Sequence, residues 1–98
     1  MNERSFWVYL MASRKGGAIY VGVTSDLAHR TFQHKEGLGG IHTSRYRIRR
    51  LVYAEKHRTA IEAIEREKRL KKWKRAWKVA LIEEGNPDWN DLTELMIN

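Results

Sequence analysis

The chain has 98 residues, of which 42% are hydrophobic and 10% aromatic, a composition that favours a folded domain and excludes a disordered chain. It contains no cysteine, which excludes disulfides and thiolate metal sites and fits a reducing compartment. Its first residues lack a signal-peptide pattern, and the longest apolar run, Phe6 to Ala12, is too short to span a bilayer, so we expect a cytoplasmic protein without a membrane segment.

The net charge of +7 is unevenly distributed. Residues 45–78 contain fourteen Lys/Arg and four Asp/Glu, whereas residues 79–98 contain five Asp/Glu and no Lys/Arg. A basic block of this kind can neutralise phosphates, which makes a nucleic acid a candidate partner. The alternative is a solvated basic surface that keeps a small protein soluble.

The first half of the chain predicts a β-hairpin followed by a helix. Phe6 to Met11 and Ala18 to Val23 have the apolar and aromatic composition of strands, separated by a turn with two glycines. The helix is expected to end near Lys35, before a glycine-rich loop over 37–44. Its N-cap candidates are Thr24, Ser25 and Asp26.

The second half predicts one more strand and mainly helix. Ile48 to Glu55 is a third strand candidate, and Thr59 begins a helical pattern that continues, with a break or bend, to Glu84. Gly85 and Pro87 end it, and residues 88–98 form a last short helix or a docked tail. The order β-β-α-β-α-α predicts an α+β fold, with a three-stranded, mainly antiparallel sheet covered by helices.

Two tyrosines occupy the predicted hairpin, one in each strand. Tyr9 and Tyr20 differ in parity, so a hairpin loop with an even number of residues places both side chains on the same sheet face. Two adjacent phenols could share proton transfer or contact with a phosphate. The alternative is a pair of half-buried core tyrosines, the usual role of tyrosine in a strand.

The first predicted helix carries an arginine and a histidine one turn apart. Arg30 and His34 are i, i+4 neighbours at the edge of the apolar stripe, where they could meet an anionic ligand. Histidine also transfers protons near neutral pH. An ordinary amphipathic edge is the alternative. The predicted inward stripe consists of Leu27, Ala28, Thr31 and Phe32.

The long helical pattern places one acid on its apolar side. Glu67 lies on that side, whereas Glu62 and Glu65 lie opposite. A buried carboxylate must be paired, protonated or bound to a metal, so an ion pair with Arg30 or Lys71 and a role as a Mg²⁺ ligand both fit this position. The apolar side is formed by Ala60, Ala63, Ile64 and Leu70.

Basic and aromatic residues follow Glu67 on the same pattern. Trp73 and Trp77 form an i, i+4 pair that we expect to pack inward, with the surrounding cations as an exposed rim. His42, in the glycine-rich loop, could contact a substrate, and the alternative is that it belongs to a plain polar loop without a function. The residues assigned to nucleic-acid contact are His42, Lys68, Lys71 and Lys72. The chain has no P-loop, nucleophile elbow or zinc-protease helix.

Together these residues resemble the GIY-YIG nuclease family, most closely its small stand-alone bacterial members of the URI type. The naming tripeptides correspond to Trp7-Val8-Tyr9 and Tyr20-Val21-Gly22, in which Trp7 replaces a glycine and Val8 an isoleucine. The resemblance covers residues 6–84, and Val23 lies near a position that is lysine in some members. The other corresponding residues are Arg30, Glu67 as the metal-binding glutamate, and His34 and His42, which are histidine in some members.

The resemblance implies a mechanism for this set of residues. A Mg²⁺ or Mn²⁺ ion on Glu67 would polarise the scissile phosphate, and Arg30 would neutralise charge that develops on its oxygens. Tyr9 or Tyr20 would orient or deprotonate the attacking water, a choice that the sequence leaves open. His34 would orient the tyrosine or share the proton transfer.

The expected function is therefore that of a metal-dependent endonuclease acting on DNA in repair or recombination, with residues 1–98 as one domain: a core of about 6–84 and a short acidic tail, 85–98. One alternative is a catalytically silent nucleic-acid-binding module that uses the same basic surface. Another is an assembly protein whose basic centre meets an acidic partner or the acidic tail of a second copy. Target choice in the family often resides in another domain. We therefore expect structure-selective or weakly selective cutting, or a protein partner for targeting.

Overall fold

The computed structural model describes residues 5–38, 40 and 45–97. The described residues confirm the predicted α+β class and the predicted order of elements. None of their helices is long and apolar enough to cross a membrane. The elements are β1 (Phe6–Ala12), β2 (Ile19–Thr24), α1 (Leu27–Lys35), β3 (Arg50–His57), α2 (Ala60–Lys72), α3 (Arg75–Gly85) and α4 (Thr93–Ile97).

The three strands form one antiparallel sheet in the order β2-β1-β3. The hairpin loop between the paired residues Ala12 and Ile19 has an even number of residues, as the tyrosine arrangement requires. Tyr9 lies opposite Gly22, and Tyr20 lies opposite Met11, so the two tyrosines are diagonal neighbours on one face. We call this the tyrosine face.

Helices cover both sides of the sheet. The tyrosine face packs against residues of α1 and α4, including Leu27 and Met96. The opposite face, which carries Val8 and Leu10, packs against α2, α3 and Trp89. A β-bulge where β1 pairs with β3 interrupts the alternation, which is why the neighbouring residues Val52 and Tyr53 both pack in the core on the Val8 face.

Helix α1 is rotated relative to the predicted stripe. Asp26 is its N-cap, but Ala28 and Phe32 are exposed, and the buried side chains are those of Leu27, Thr31 and His34. Placing His34 at the border between core and solvent was therefore wrong, because it is buried. Thr31 can be buried because its hydroxyl donates to backbone carbonyls of its own helix, and a neutral imidazole can be buried beside another polar ring.

The long helical pattern is divided into α2 and α3 by an extended step at Trp73 and Lys74, whose ψ angles are 146° and 148°. The predicted break is confirmed, and so is the cap by Thr59, whose hydroxyl accepts from the Glu62 amide. Two expectations of inward packing were wrong, because Ile64 and Trp77 are exposed. The extended step redirects the chain, so Trp77 does not continue the apolar side of α2.

The acidic tail packs into the molecule. Trp89 is fully buried, its indole nitrogen donates to Glu83, and its carbonyl accepts from Arg50. Buried Asn86 donates to the Val52 carbonyl at 3.1 Å. The Leu92 amide donates to the Leu51 carbonyl at 2.7 Å, which fixes the tail beside β3. Residues predicted to lie beyond the core thus contribute to it.

Candidate active site

Three aromatic rings meet at the centre of the tyrosine face. Tyr9 is 1% exposed, and its hydroxyl lies 3.3 Å from Nε2 of His34, which is 2% exposed. The Tyr20 ring centroid is 6.3 Å from that of Tyr9 and 5.2 Å from that of His34. Tyr20 is only partly buried, so it is the more accessible phenol of the pair. The predicted pair of tyrosines is thus a contact triad with His34.

Gly22 provides the space that this arrangement needs. A Cβ atom at Gly22 would overlap Cζ and the hydroxyl oxygen of Tyr9, its cross-strand partner. The same atom would lie 2.9 Å from Cε2 of Tyr20, closer than real Cβ atoms come to other carbons. The requirement at Gly22 is therefore close approach, and a side chain there would displace both phenols.

Burial and charge determine the protonation of the triad. Burial raises the pKa of Tyr9 well above that of a free tyrosine, and contact with Tyr20 and the charge of Glu67 raise it further, whereas Arg30 opposes the shift. Burial and the nearby Arg30 guanidinium lower the pKa of His34. At neutral pH the Tyr9 phenol and the His34 imidazole are therefore both uncharged.

Glu67 is the acid of this region. Its side chain is 12% exposed, and Oε2 forms an ion pair with Nζ of Lys71 at 2.7 Å. Lys71 is one of the two ion-pair partners that the sequence predicted for this acid. The charge of Glu67 also acts on Tyr9, although α2 packs against the opposite sheet face. Among the described residues no group of three or more His, Asp or Glu side chains could hold a metal ion. A single shielded carboxylate fits Mg²⁺ if water and substrate phosphates complete the coordination.

The predicted site residues thus fall into two sets. In the first set, the rings of Tyr9, Tyr20 and His34 are in contact. The charges of Arg30 and Glu67 shift the pKa of Tyr9 in opposite directions. The residues predicted to contact nucleic acid differ: Lys71 pairs with Glu67, Lys68 and Lys72 are exposed on α2, and His42 lies outside the described residues.

Sequence reasoning missed the role of Gly22. The signal that could have identified it was a glycine two residues after Tyr20, on the same face of the second predicted strand.

The sequence itself matches a known family over most of its length. A family model described as the GIY-YIG catalytic domain matches residues 5–80, which include all three strands, α1 and α2. The chain belongs to the GIY-YIG family. Its two tripeptides, Trp7-Val8-Tyr9 and Tyr20-Val21-Gly22, lie in neighbouring antiparallel strands. The GIY-YIG domain is a nuclease domain, so the family implies a nucleic acid as substrate.

Proteins of similar length resemble this chain over most of their sequence. A UPF0213 protein from Staphylococcus saprophyticus is 35% identical over 79 residues, which cover 81% of this chain and 95% of the relative. Another from Bacillus pumilus is 34% identical over 84 residues, covering 86% of this chain and 85% of the relative. A solution NMR structure of a UPF0213 protein from Bacillus halodurans is similar, with a TM-score of 0.54, 26% identity, and coverage of 96% of this chain and 99% of that one.

Proposed function

We propose that this GIY-YIG protein is a divalent-metal-dependent endonuclease that hydrolyses phosphodiester bonds in DNA. The observation that carries the proposal is the contact triad of Tyr9, Tyr20 and His34. Burial raises the pKa of Tyr9, which is in addition lowered by the charge of Arg30 and raised by that of Glu67. These residue types suit phosphate chemistry, because a guanidinium binds phosphate oxygens and a carboxylate holds a metal ion. The role in repair or recombination implied by the family is part of the same proposal.

Glu67 would hold Mg²⁺ or Mn²⁺ after release from Lys71. When bound, the cation supplies a Lewis acid for the scissile phosphate and the leaving oxygen. Arg30 would neutralise the charge that develops on the phosphoryl oxygens. Lys71, freed from the carboxylate, would be available to a neighbouring phosphate.

The two tyrosines receive different roles in this mechanism. Tyr20, which is partly exposed, would orient the attacking water beside the scissile phosphate. Tyr9 is buried with a raised pKa, so its phenol stays protonated and positions Tyr20 together with His34. On this assignment Tyr20 meets substrate, whereas Tyr9 and His34 act as positioning residues.

A plasmid-nicking assay with Mg²⁺, Mn²⁺ or EDTA tests this function. We expect nicking with either metal, none with EDTA, and at least a roughly 100-fold loss in Glu67→Gln because the carboxylate that holds the metal is removed. Glu65→Gln, an exposed acid on the same helix, is the matched control and should retain activity. In the same assay Tyr20→Phe should lose more activity than Tyr9→Phe. Nicking that persists unchanged in Glu67→Gln would contradict the proposal.

One observation favours a second candidate function, a nucleic-acid-binding module without turnover. The ion pair between Lys71 and Glu67 occupies the carboxylate that a metal would need. In this case wild-type protein would bind DNA in a salt-dependent manner but would not cut with any of the metals. Wild-type nicking therefore separates the two candidates, and in a binding module Lys71→Ala, which releases Glu67, should still show no metal-dependent cutting.

A further inference from the structure

An exposed aromatic pair lies just beyond the end of α2, outside the triad. Trp77 is 53% exposed, and its ring packs edge-on against Trp73, with ring centroids 6.1 Å apart and an interplanar angle of 85°. Nζ of Lys74 lies 5.7 Å from the centre of the Trp77 ring. A large indole left half in solvent and accompanied by a cation is a feature of surfaces that bind a flat or anionic ligand.

The pair borders a shallow cavity of about 310 Å³. Its other lining residues are Ala80, Leu81 and Glu84, so the cavity is mainly apolar and has one acid. Trp73 is held from behind, because the Arg66 guanidinium stacks on its ring at 5.2 Å and is itself fixed by Glu55. The platform beneath Trp77 is therefore already ordered by the fold.

A band of four exposed cations lies on the last turns of α2, between Glu67 and this pair in the sequence. At about 100° per residue, Lys71, Lys68, Lys72 and Arg69 follow Glu67 around the helix at roughly 40°, 100°, 140° and 200°. All four side chains are exposed, and together they cross the outer surface of the last turns of α2. Trp73 follows directly after the helix. A phosphate backbone that follows these side chains from Glu67 toward the end of α2 would meet several cations before it reaches Trp73.

We infer that Trp77, supported by Trp73 and Lys74, is a stacking subsite for an unpaired base, and that the cation band on α2 carries the backbone of that strand from the Glu67 region to it. The inference deepens the nuclease function proposed above and rests on it, since it names DNA with a single-stranded segment next to the cut as the preferred substrate. Stacking on an aromatic ring needs a base with an exposed face, which a paired base inside a duplex does not offer.

The local charge favours a nucleic acid over a protein as the occupant. Residues 66–78 contain eight Lys/Arg and a single acid, Glu67. A protein partner for an apolar groove would need many acidic groups to tolerate this surface, whereas a DNA strand brings one phosphate with every base. The flexible stem of Lys74 allows its ammonium group to follow the phosphate of a base stacked on Trp77.

Binding measurements in EDTA test the subsite independently of cleavage. Fluorescence anisotropy would compare a short single-stranded oligonucleotide with a blunt duplex of the same sequence. We expect Trp77→Ala and Trp77→Leu to weaken single-strand binding by about 5- to 100-fold and to leave duplex binding nearly unchanged. Ile61→Ala, which removes an exposed apolar side chain at the other end of α2, is the matched control and should bind as wild type.

The cation band has its own readout. Lys72→Gln should lower the slope of log affinity against log salt by about 0.7 for the single strand, the value for one lost phosphate contact. Glu62→Gln, an exposed acid near the beginning of α2, should not lower it. An unchanged slope in Lys72→Gln would remove the band from the proposed path.

Several outcomes would overturn the subsite. They are wild-type affinity in Trp77→Ala, an equal loss for single strand and duplex, and full affinity in Trp77→Leu, which would indicate an apolar docking surface for a protein instead. Because binding in EDTA needs no turnover, the two proposals fail separately. Glu67-dependent nicking together with Trp77-independent binding would remove the subsite alone, whereas Trp77-dependent binding without nicking would remove the catalytic function alone.

Discussion

Gly22 supports the site because it has no side chain. Its missing side chain leaves the volume into which Tyr9 and Tyr20 project from the two strands of the hairpin. Substituting the residue that makes this room should therefore disturb the phenols before it disturbs the strand pairing.

Gly22→Ala is expected to lower the free energy of unfolding by about 1–3 kcal/mol, the usual cost of an overpacked core position, and to lower nicking with it. Urea denaturation followed by fluorescence measures the first effect. Gly85→Ala is the matched control, because an added Cβ meets nothing within 4 Å and the residue lies at the end of α3, so stability should be unchanged or slightly higher. Equal effects of the two substitutions would contradict the proposed role of Gly22.

His34 makes stability depend on pH. Its pKa is lowered in the folded protein by burial and by Arg30, whereas in the unfolded chain it has the ordinary value of about 6.5. As the pH falls below about 6.5, the unfolded state takes up the proton first, so the free energy of unfolding decreases until the pH passes the folded pKa. The stability is fully present above this window and is lost on acidification.

Urea denaturation between about pH 7 and pH 5 measures this effect. His34→Gln should lose part of the pH dependence, because the substituted side chain does not titrate. His29→Gln, at an exposed position of the same helix, should retain it. A wild-type slope in His34→Gln would show that another group is responsible.

The sequence predicted which residues of the site lie close together better than it predicted how far each of them is buried. Parity placed the two tyrosines together, and apolar periodicity identified Glu67 as a shielded acid. It did not predict that His34 is buried, because a periodicity read from hydrophobic residues assigns inward positions to Ala28 and Phe32. Polar side chains that find partners inside the fold are invisible to that pattern.

The helix α2 is tied to the edge strand β3 by a polar network centred on Glu55. Its carboxylate accepts hydrogen bonds from Tyr53 at 2.6 Å and from Nε and Nη2 of Arg66 at 3.0 and 3.2 Å, and it lies 2.5 Å from Nε2 of His57. Burial alone would raise the pKa of Glu55, but the hydrogen bonds from Arg66, Tyr53 and His57 lower it below its usual value. Burial and Glu55 in turn raise the pKa of Tyr53 to about 12.

Arg66→Met should lower the free energy of unfolding by about 1–3 kcal/mol, since the shielded carboxylate of Glu55 loses its paired charge while the aliphatic stem is kept. Lys68→Met, an exposed cation two residues later, should change it by less than about 0.5 kcal/mol. Thermal unfolding with near-ultraviolet circular dichroism records both variants. If Arg66→Met lowered the free energy of unfolding as little as Lys68→Met, the network around Glu55 would not contribute to stability.

The step between α2 and α3 shows where local sequence information ends. A break was predicted within residues 59–84, but neither Trp73 nor Lys74 is a residue that interrupts a helix by itself. The position of the break follows from contacts distant in sequence, because Arg75 donates at 2.8 Å to the carbonyls of Gly16 and Gly17 in the hairpin turn. Such contacts are fixed by the fold.

At the scale of the whole molecule, the acidic tail completes the core. Trp89→Ala should cost about 3–5 kcal/mol, because it leaves a cavity between the sheet and α3 and removes the indole that donates to Glu83. Trp77→Ala is the matched control, since the same side chain is half exposed there and stability should change little. Thermal unfolding of the two variants distinguishes them. If Trp89→Ala and Trp77→Ala had similar melting temperatures, the tail would not unfold together with the rest of the domain.

The way in which the tail meets β3 has a consequence for association between molecules. β3 is an edge strand, and the amide and carbonyl of Leu51 and the carbonyl of Val52 are taken up by Asp91, Leu92 and Asn86. A strand with open backbone groups is a template on which another chain can add. Residues 86–92 therefore cover this edge, and a chain that ends before Asn86 would expose these backbone groups and aggregate by strand addition between copies.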